Sequence, residues 1–324
     1  MRKAILNKEN LKHNIEIIRK NYNNINIIGV VKADAYGHGA KEISKWLFDF
    51  GIKTVAVATI DEAKEVLENN LKQDVLILGP SDNNDLTKLG DDRIIQTIFS
   101  KEYYNRIKDV QIRKQININT GMNRLGINSY DDIDSEMKAD KYVEAFYTHF
   151  LNNKDLSTTK KQLEAFSGVK DNLKYHTGIT NLSLLEEYNI KNIRVGLSLY
   201  GYEDFDWSNK LKPVMSLYGK IISVKKIKKG ESISYNARYI AKKDISVATV
   251  SIGYADGIPW NYKDGYVYYK NNKCKIIGQI TMDYIMIDIT NLDYSINDYV
   301  EIFGDNISLK DVANKSNTIV YEIL

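Results

Sequence analysis

Cysteine is almost absent: Cys274 is the single thiol in 324 residues, so no disulfide can form within the chain. That usage fits a reducing, cytoplasmic compartment. No apolar run approaches the roughly 20 residues needed to span a bilayer, and residues 1–10 lack the apolar core of a secretion signal. Neither sign of charge dominates. The 45 basic and 42 acidic residues leave a formal net charge of +3, too balanced to suggest a nucleic acid or an anionic membrane as partner. Internal repeats and low-complexity tracts are missing as well. What remains is 43% hydrophobic and 27% charged, the composition of a soluble globular protein able to bury a core without disulfide or metal staples. The length suggests about two domains.

The hydrophobic pattern divides the chain. Residues Asn7–Asn21 read as a helix, with Leu11, Ile15 and Ile18 at helical spacing. Short apolar runs then alternate with helical stretches: Ile25–Val31, Thr54–Ala58, Val75–Gly79, Ile94–Phe99, Gln115–Asn119, Val143–Thr148, Lys174–Thr177 and Ile193–Val195. One intervening helix is Lys41–Phe50; another opens on a capping-box pattern, Thr59 with Glu62 three residues on. Eight strand–helix units point to a (β/α)8 barrel over residues 1–212, with an open doubly wound sheet as the alternative. From Pro213 the pattern turns β-rich, in Val214–Val224, Ser232–Tyr239, Ser246–Ile252, Tyr266–Tyr269, Lys275–Ile280 and Tyr284–Ile289. Residues 213–324 therefore read as a second, mostly β domain, with a helix over Leu309–Lys315 capped by Ser308.

The first barrel strand runs directly into Val31-Lys32-Ala33-Asp34-Ala35-Tyr36-Gly37-His38-Gly39. A lysine ending an apolar barrel strand sits at the C-terminal face, where barrel active sites lie. Partial burial there would favour the neutral amine, which can condense with a carbonyl group. By position alone, a solvated lysine at a loop start is the better reading. Later strands end in comparable strings: Asn119-Thr120-Gly121-Met122-Asn123-Arg124-Leu125-Gly126, Tyr147-Thr148-His149-Phe150, and Arg194-Val195-Gly196-Leu197-Ser198-Leu199-Tyr200-Gly201. The second domain carries Ser234-Tyr235-Asn236-Ala237-Arg238, Gly253-Tyr254-Ala255-Asp256-Gly257 and Gly278-Gln279-Ile280-Thr281-Met282-Asp283.

Taken in order, these strings resemble the alanine racemase family over nearly the whole chain. The resemblance implies pyridoxal 5'-phosphate as cofactor, bound covalently by Lys32, and no metal. Tyr36, Thr180 and Tyr321 match phosphate-binding positions, and the backbone amides at Gly196 and Leu197 would join them. His149 would lie near the pyridine ring and Arg194 on its nitrogen; His38 reads as local scaffold. Because a guanidinium can only donate, that nitrogen would stay unprotonated and the ring a weaker electron sink. Arg124 would hold the carboxylate of a small amino acid through its planar fork. The resemblance further implies a homodimer, in which Tyr235, Tyr254 and Met282 reach the neighbouring subunit's barrel. Lys32 and Tyr235 would then exchange the α-proton on opposite faces, interconverting L- and D-alanine and supplying D-alanine for peptidoglycan. A racemase for another small amino acid such as serine, or a cofactor-binding protein without racemase activity, are the alternatives.

Three segments depart from the family pattern. Asn117 stands where many members have a lysine, often carbamylated, that orients the arginine. Gly178-Ile179-Thr180 replaces Ala-Asn-Ser, and Gln279 replaces a common arginine.

Overall fold

The computed structural model describes residues 2–167, 174–203, 205 and 207–324. It opens with strand β1 (Arg2–Leu6) and a helix (Lys8–Asn21) whose buried face carries Leu11, Asn14, Ile15 and Ile18. Eight strands follow: β2 (Asn26–Val30), β3 (Thr54–Val57), β4 (Asp74–Ile77), β5 (Ile94–Ile98), β6 (Arg113–Asn117), β7 (Val143–Tyr147), β8 (Lys174–Gly178) and β9 (Asn192–Val195). They pair in parallel and close, with Ile28 of β2 opposite both Thr54 and Arg194. The expected barrel is therefore present and the open sheet is excluded. These strands read as near-continuous apolar runs because helices cover their outer face while side chains fill the inside.

The filling is uneven. Ile28, Val30, Ala56, Leu76 and Ile95 form one apolar cluster from β2 to β5. Strands β6 to β9 contribute polar side chains instead: Gln115, Asn117, Tyr147, His176 and Arg194, all buried. A barrel interior that keeps such groups must satisfy each of them by hydrogen bonding.

The remaining strands are β10 (Met215–Ile227), β11 (Ser232–Ile233), β12 (Tyr239–Ile240), β13 (Ile245–Ser251), β14 (Tyr266–Tyr269), β15 (Asn272–Lys275), β16 (Ile285–Asp288) and β17 (Tyr299–Phe303). Seven strands make one sheet in the order β15-β14-β17-β10-β13-β16, with β1 also on β10, while β11 and β12 pair separately. The sheet is antiparallel throughout.

Two differences from the sequence reading are instructive. The β unit comprises Pro213–Leu324 together with residues 2–10, which pack with it and not with the barrel. Strand β1 pairs with β10 from Arg2↔Gly219 to Leu6↔Met215, and Arg2 meets Asp256 at 2.8 Å. Its mostly exposed Arg-Lys-Ala-Ile-Leu shows no alternation that would announce a strand. The strand expected over Lys275–Ile280 falls earlier, at Asn272–Lys275, because the hairpin turns at Lys270 and Asn271, both at positive φ.

Candidate active site

Lys32 follows β2, half-buried at the C-terminal end of the barrel. Desolvation lowers its pKa from 10.5, the Arg124 charge adds to this, and Glu62 opposes it. The next four residues, Ala33 to Tyr36, all take left-handed backbone angles, φ 50–54°. Each such non-glycine residue costs roughly 1–2 kcal/mol, so the surroundings must hold the turn. Glu62 accepts from Ala33 N at 2.7 Å while its other oxygen accepts from Ala58 N and Thr59 N. The expected capping box is formed, and its carboxylate does a second job on the lysine turn. Asp34 accepts from Ala40 N at 2.6 Å. His38, buried as scaffold, has its Nδ1 within 2.9 Å of Tyr36 O and its ring 4.5 Å from that of Tyr200.

The turn aims Tyr36 at Gly196. A Cβ on Gly196 would stand 2.8 Å from the Tyr36 hydroxyl, so glycine leaves the space. Past Gly196 the chain turns tightly, with Leu199 N and Tyr200 N bonding Gly196 O and Leu197 O. Among the described residues the leading amides of Leu197 and Ser198 have no acceptor, and the buried Ser198 Oγ has no partner. A phenol, free amides and a hydroxyl are a donor set suited to a phosphate. Thr180, also expected at the phosphate, is buried and its hydroxyl donates to Asn153 O at 2.8 Å.

Arg194 is buried and, among the described residues, has no carboxylate partner. Its guanidinium bonds His176 Nδ1 at 2.5 Å and Thr148 O at 2.6 Å, and lies 4.5 Å over the Tyr147 ring. Burial pulls its pKa down to about 10, which still leaves it charged near neutrality. Desolvation, then Arg194, Arg124 and Lys32, hold His149 down at about 4, so the imidazole is neutral. Lys32, Arg124, His149 and Arg194 thus share one electrostatic neighbourhood.

Arg124 is exposed in the loop after β6. Asn119 organises that loop by accepting from Gly121 N and Asn123 N, and Gly126 lies at φ 121° where a Cβ would meet Asn119 N at 2.8 Å. Asn117 donates to Leu125 O at 3.2 Å, tethering the backbone next to Arg124. Gln162, unnoticed in the sequence, joins this loop to the next: it donates to Thr120 Oγ1 and His149 O and accepts from Leu151 N.

In the β unit, Tyr235 sits on a short turn with its ring 71% exposed. The turn is tied to the 278–282 loop through Ser234 Oγ to Gln279 O, and that loop to the next through Tyr254 N to Thr281 O and Ala255 N to Met282 O. Tyr235, Tyr254 and Met282 therefore belong to one backbone-linked set of exposed side chains. Tyr321 is exposed on a terminal helical turn, Val320–Ile323.

The closed parallel barrel, with polar and titratable groups gathered at the C-terminal ends of its strands and an antiparallel β unit after it in sequence, is the architecture of a barrel enzyme. Residues 6–204 match the family model "Alanine racemase, N-terminal domain" and residues 214–324 match "Alanine racemase, C-terminal domain". The chain belongs to the alanine racemase family. It is 32% identical to an alanine racemase of Vesicomyosocius okutanii, over 97% of this chain and 93% of that one. Identity to the alanine racemase of Aquifex pyrophilus is 31%, over 100% and 96%. The solved alanine racemase of Clostridium difficile 630 superposes with a TM-score of 0.90 at 28% identity, covering 99% of this chain and 92% of that chain.

Proposed function

We propose that the protein interconverts L- and D-alanine with pyridoxal 5'-phosphate, in the cytoplasm, and so supplies D-alanine for peptidoglycan. The observation that carries this reading is the pKa-lowered amine of Lys32 on a strained turn that also presents Tyr36 to the Gly196 cradle. These residues fit the cofactor. The Tyr36 hydroxyl and the amides at Leu197 and Ser198 would hold its phosphate, the Arg194 guanidinium would donate to the ring nitrogen, and Lys32 would bind its carbonyl carbon. When bound, pyridoxal phosphate supplies an electron-withdrawing ring that acidifies the α-hydrogen of an attached amino acid.

The chain's own groups do the rest. Arg124 grips the substrate carboxylate and fixes which faces of the α-carbon are presented. Lys32, its amine eased toward the neutral form by burial and by Arg124, takes or returns the proton on one face. Tyr235 of a second copy serves the opposite face, in a homodimer whose β unit also lends Tyr254 and Met282. Neutral His149 adds no further cation beside Arg194 and Arg124.

The test is incubation of the purified, cofactor-loaded protein with L-alanine followed by chiral separation. D-alanine should accumulate to an equal mixture, and Lys32→Ala should abolish both turnover and borohydride-fixable cofactor. Cofactor fixed to Lys32 with no D-alanine formed would overturn the racemase reading.

A further inference from the structure

Below Arg194 the barrel holds a continuous polar chain that the proposed reaction does not call on. His176 Nε2 lies 2.7 Å from Gln115 Oε1, and Gln115 Nε2 donates to Glu144 Oε1 at 2.9 Å. Arg113 donates to Glu144 at 2.8 and 3.3 Å and grips Asp74 with two bonds of 2.6 and 2.9 Å. Gln115, His176 and Arg194 are buried. Together with Asp74, Arg113 and Glu144, Gln115 and His176 line a cavity of about 340 Å3 where the barrel strands begin.

Only one assignment of protons satisfies this chain. Arginine cannot accept, and an ionised carboxylate cannot donate. Held by Arg113, Glu144 must therefore receive the amide hydrogens of Gln115. That turns the Gln115 carbonyl toward His176, whose Nε2 must then carry hydrogen and donate. In the neutral ring Nδ1 is left bare, and it accepts from Arg194 at 2.5 Å. The opposite tautomer would set a ring N–H against a guanidinium N–H. Tyr147, stacked on His176 at 4.7 Å and lying under Arg194, prevents the two from turning apart.

We propose that Gln115 and Glu144 are positioning residues: they fix His176 as the Nε2–H tautomer and thereby hold the Arg194 guanidinium in the orientation that serves the ring nitrogen. Its catalytic consequence rests on the function proposed above; the tautomer itself does not. Sequence offered little warning, because a glutamine and a glutamate inside a barrel strand read as ordinary polar residues.

The experiment is histidine-selective 15N NMR on the full-length protein, with and without pyridoxal phosphate. Only four histidines need assignment. In the wild type, His176 should show a protonated Nε2 and a bare Nδ1. The opposite tautomer or an imidazolium would overturn the proposal, and this arm needs neither a folded variant nor turnover. In Gln115→Met, the His176 Nε2–H loses its acceptor while Arg194 still requires a bare Nδ1, so the Nε2 hydrogen should exchange faster with water and its 15N and 1H resonances should shift. The kcat for alanine should fall about tenfold with KM little changed, the scale of one lost hydrogen bond to a group acting on the reacting ring. An unaltered His176 spectrum in that variant would also overturn the proposal. Absence of turnover in the wild type, with the expected spectrum, would count against the proposed function and leave the positioning role standing.

Discussion

At the scale of single residues, the site runs on groups held away from their ordinary protonation. His38 is the clearest case for stability. Burial pushes it down to about 4 from 6.5, against the raising effect of the Tyr36 and Ala35 carbonyls. The unfolded chain therefore takes up a proton between pH 6.5 and 4 that the folded chain refuses, and stability falls as pH drops through that window. The loss should reach about 3 kcal/mol. His38→Asn, which can keep a donor for Tyr36 O, should show a smaller decline in melting temperature between pH 7 and pH 5; equal declines would dismiss the idea. Gly196 is the corresponding case for binding. A methyl group there meets the Tyr36 hydroxyl, so Gly196→Ala should weaken pyridoxal phosphate retention by about tenfold, in line with the cost of overpacking. Fluorescence titration with the cofactor would read this directly, and unchanged affinity would remove Gly196 from the cradle. The sequence suggested candidate roles only for residues that lie inside a motif. Lys32, Tyr36 and Arg194 do; Gln115, Glu144 and Gln162 act through partners 11 to 61 positions away in the chain and carry no local signature.

At the scale of elements, the barrel strands and the helices at Lys8–Asn21 and Leu309–Lys315 lay within a residue or two of where periodicity put them. Ser308 caps the latter by accepting from Asp311 N at 3.0 Å. Periodicity works there because each element buries one fixed face. It failed for β1, whose pairing with β10 is set by tertiary contact, and for β15, where positive φ at Lys270 and Asn271 moved the turn. It could not reveal the left-handed run after Lys32, since alanine, aspartate and tyrosine do not favour that conformation. What holds that run is the capping glutamate of the helix after β3, Ile60–Leu67. Glu62→Ala removes the carboxylate that accepts from Ala33, Ala58 and Thr59. It should cost about 1–2 kcal/mol, a drop of about 3–6 °C in a barrel of this size. The same change should let Lys32 react at lower pH: without the Glu62 charge, the amine titrates lower still. Differential scanning calorimetry and pH-dependent labelling of Lys32 by pyridoxal phosphate check the two halves, and a variant with wild-type melting and labelling would refute the coupling.

At the scale of the whole molecule, the question is why Tyr235 and Met282 are left open to solvent, 71% and 54% exposed, on a backbone-linked face. Scattered apolar residues on a surface need no explanation, but a connected set that includes Tyr254 marks an interaction site. The proposed occupant is a second copy, so that each site draws Lys32 from one chain and Tyr235 from the other. Complementation tests this without any structure of the dimer. Lys32→Ala and Tyr235→Phe should each be inactive alone. If they are mixed, dissociated and reassociated, two-fold symmetry gives about half mixed dimers. Each mixed dimer holds one site with both bases intact and one with neither. Activity should therefore recover to about a quarter of the wild-type value, and should scale with the mixed fraction as the ratio of the two variants is changed. Failure to recover activity, with mixed dimers demonstrated by native mass spectrometry, would show that both bases come from one chain or that Tyr235 is not one of them.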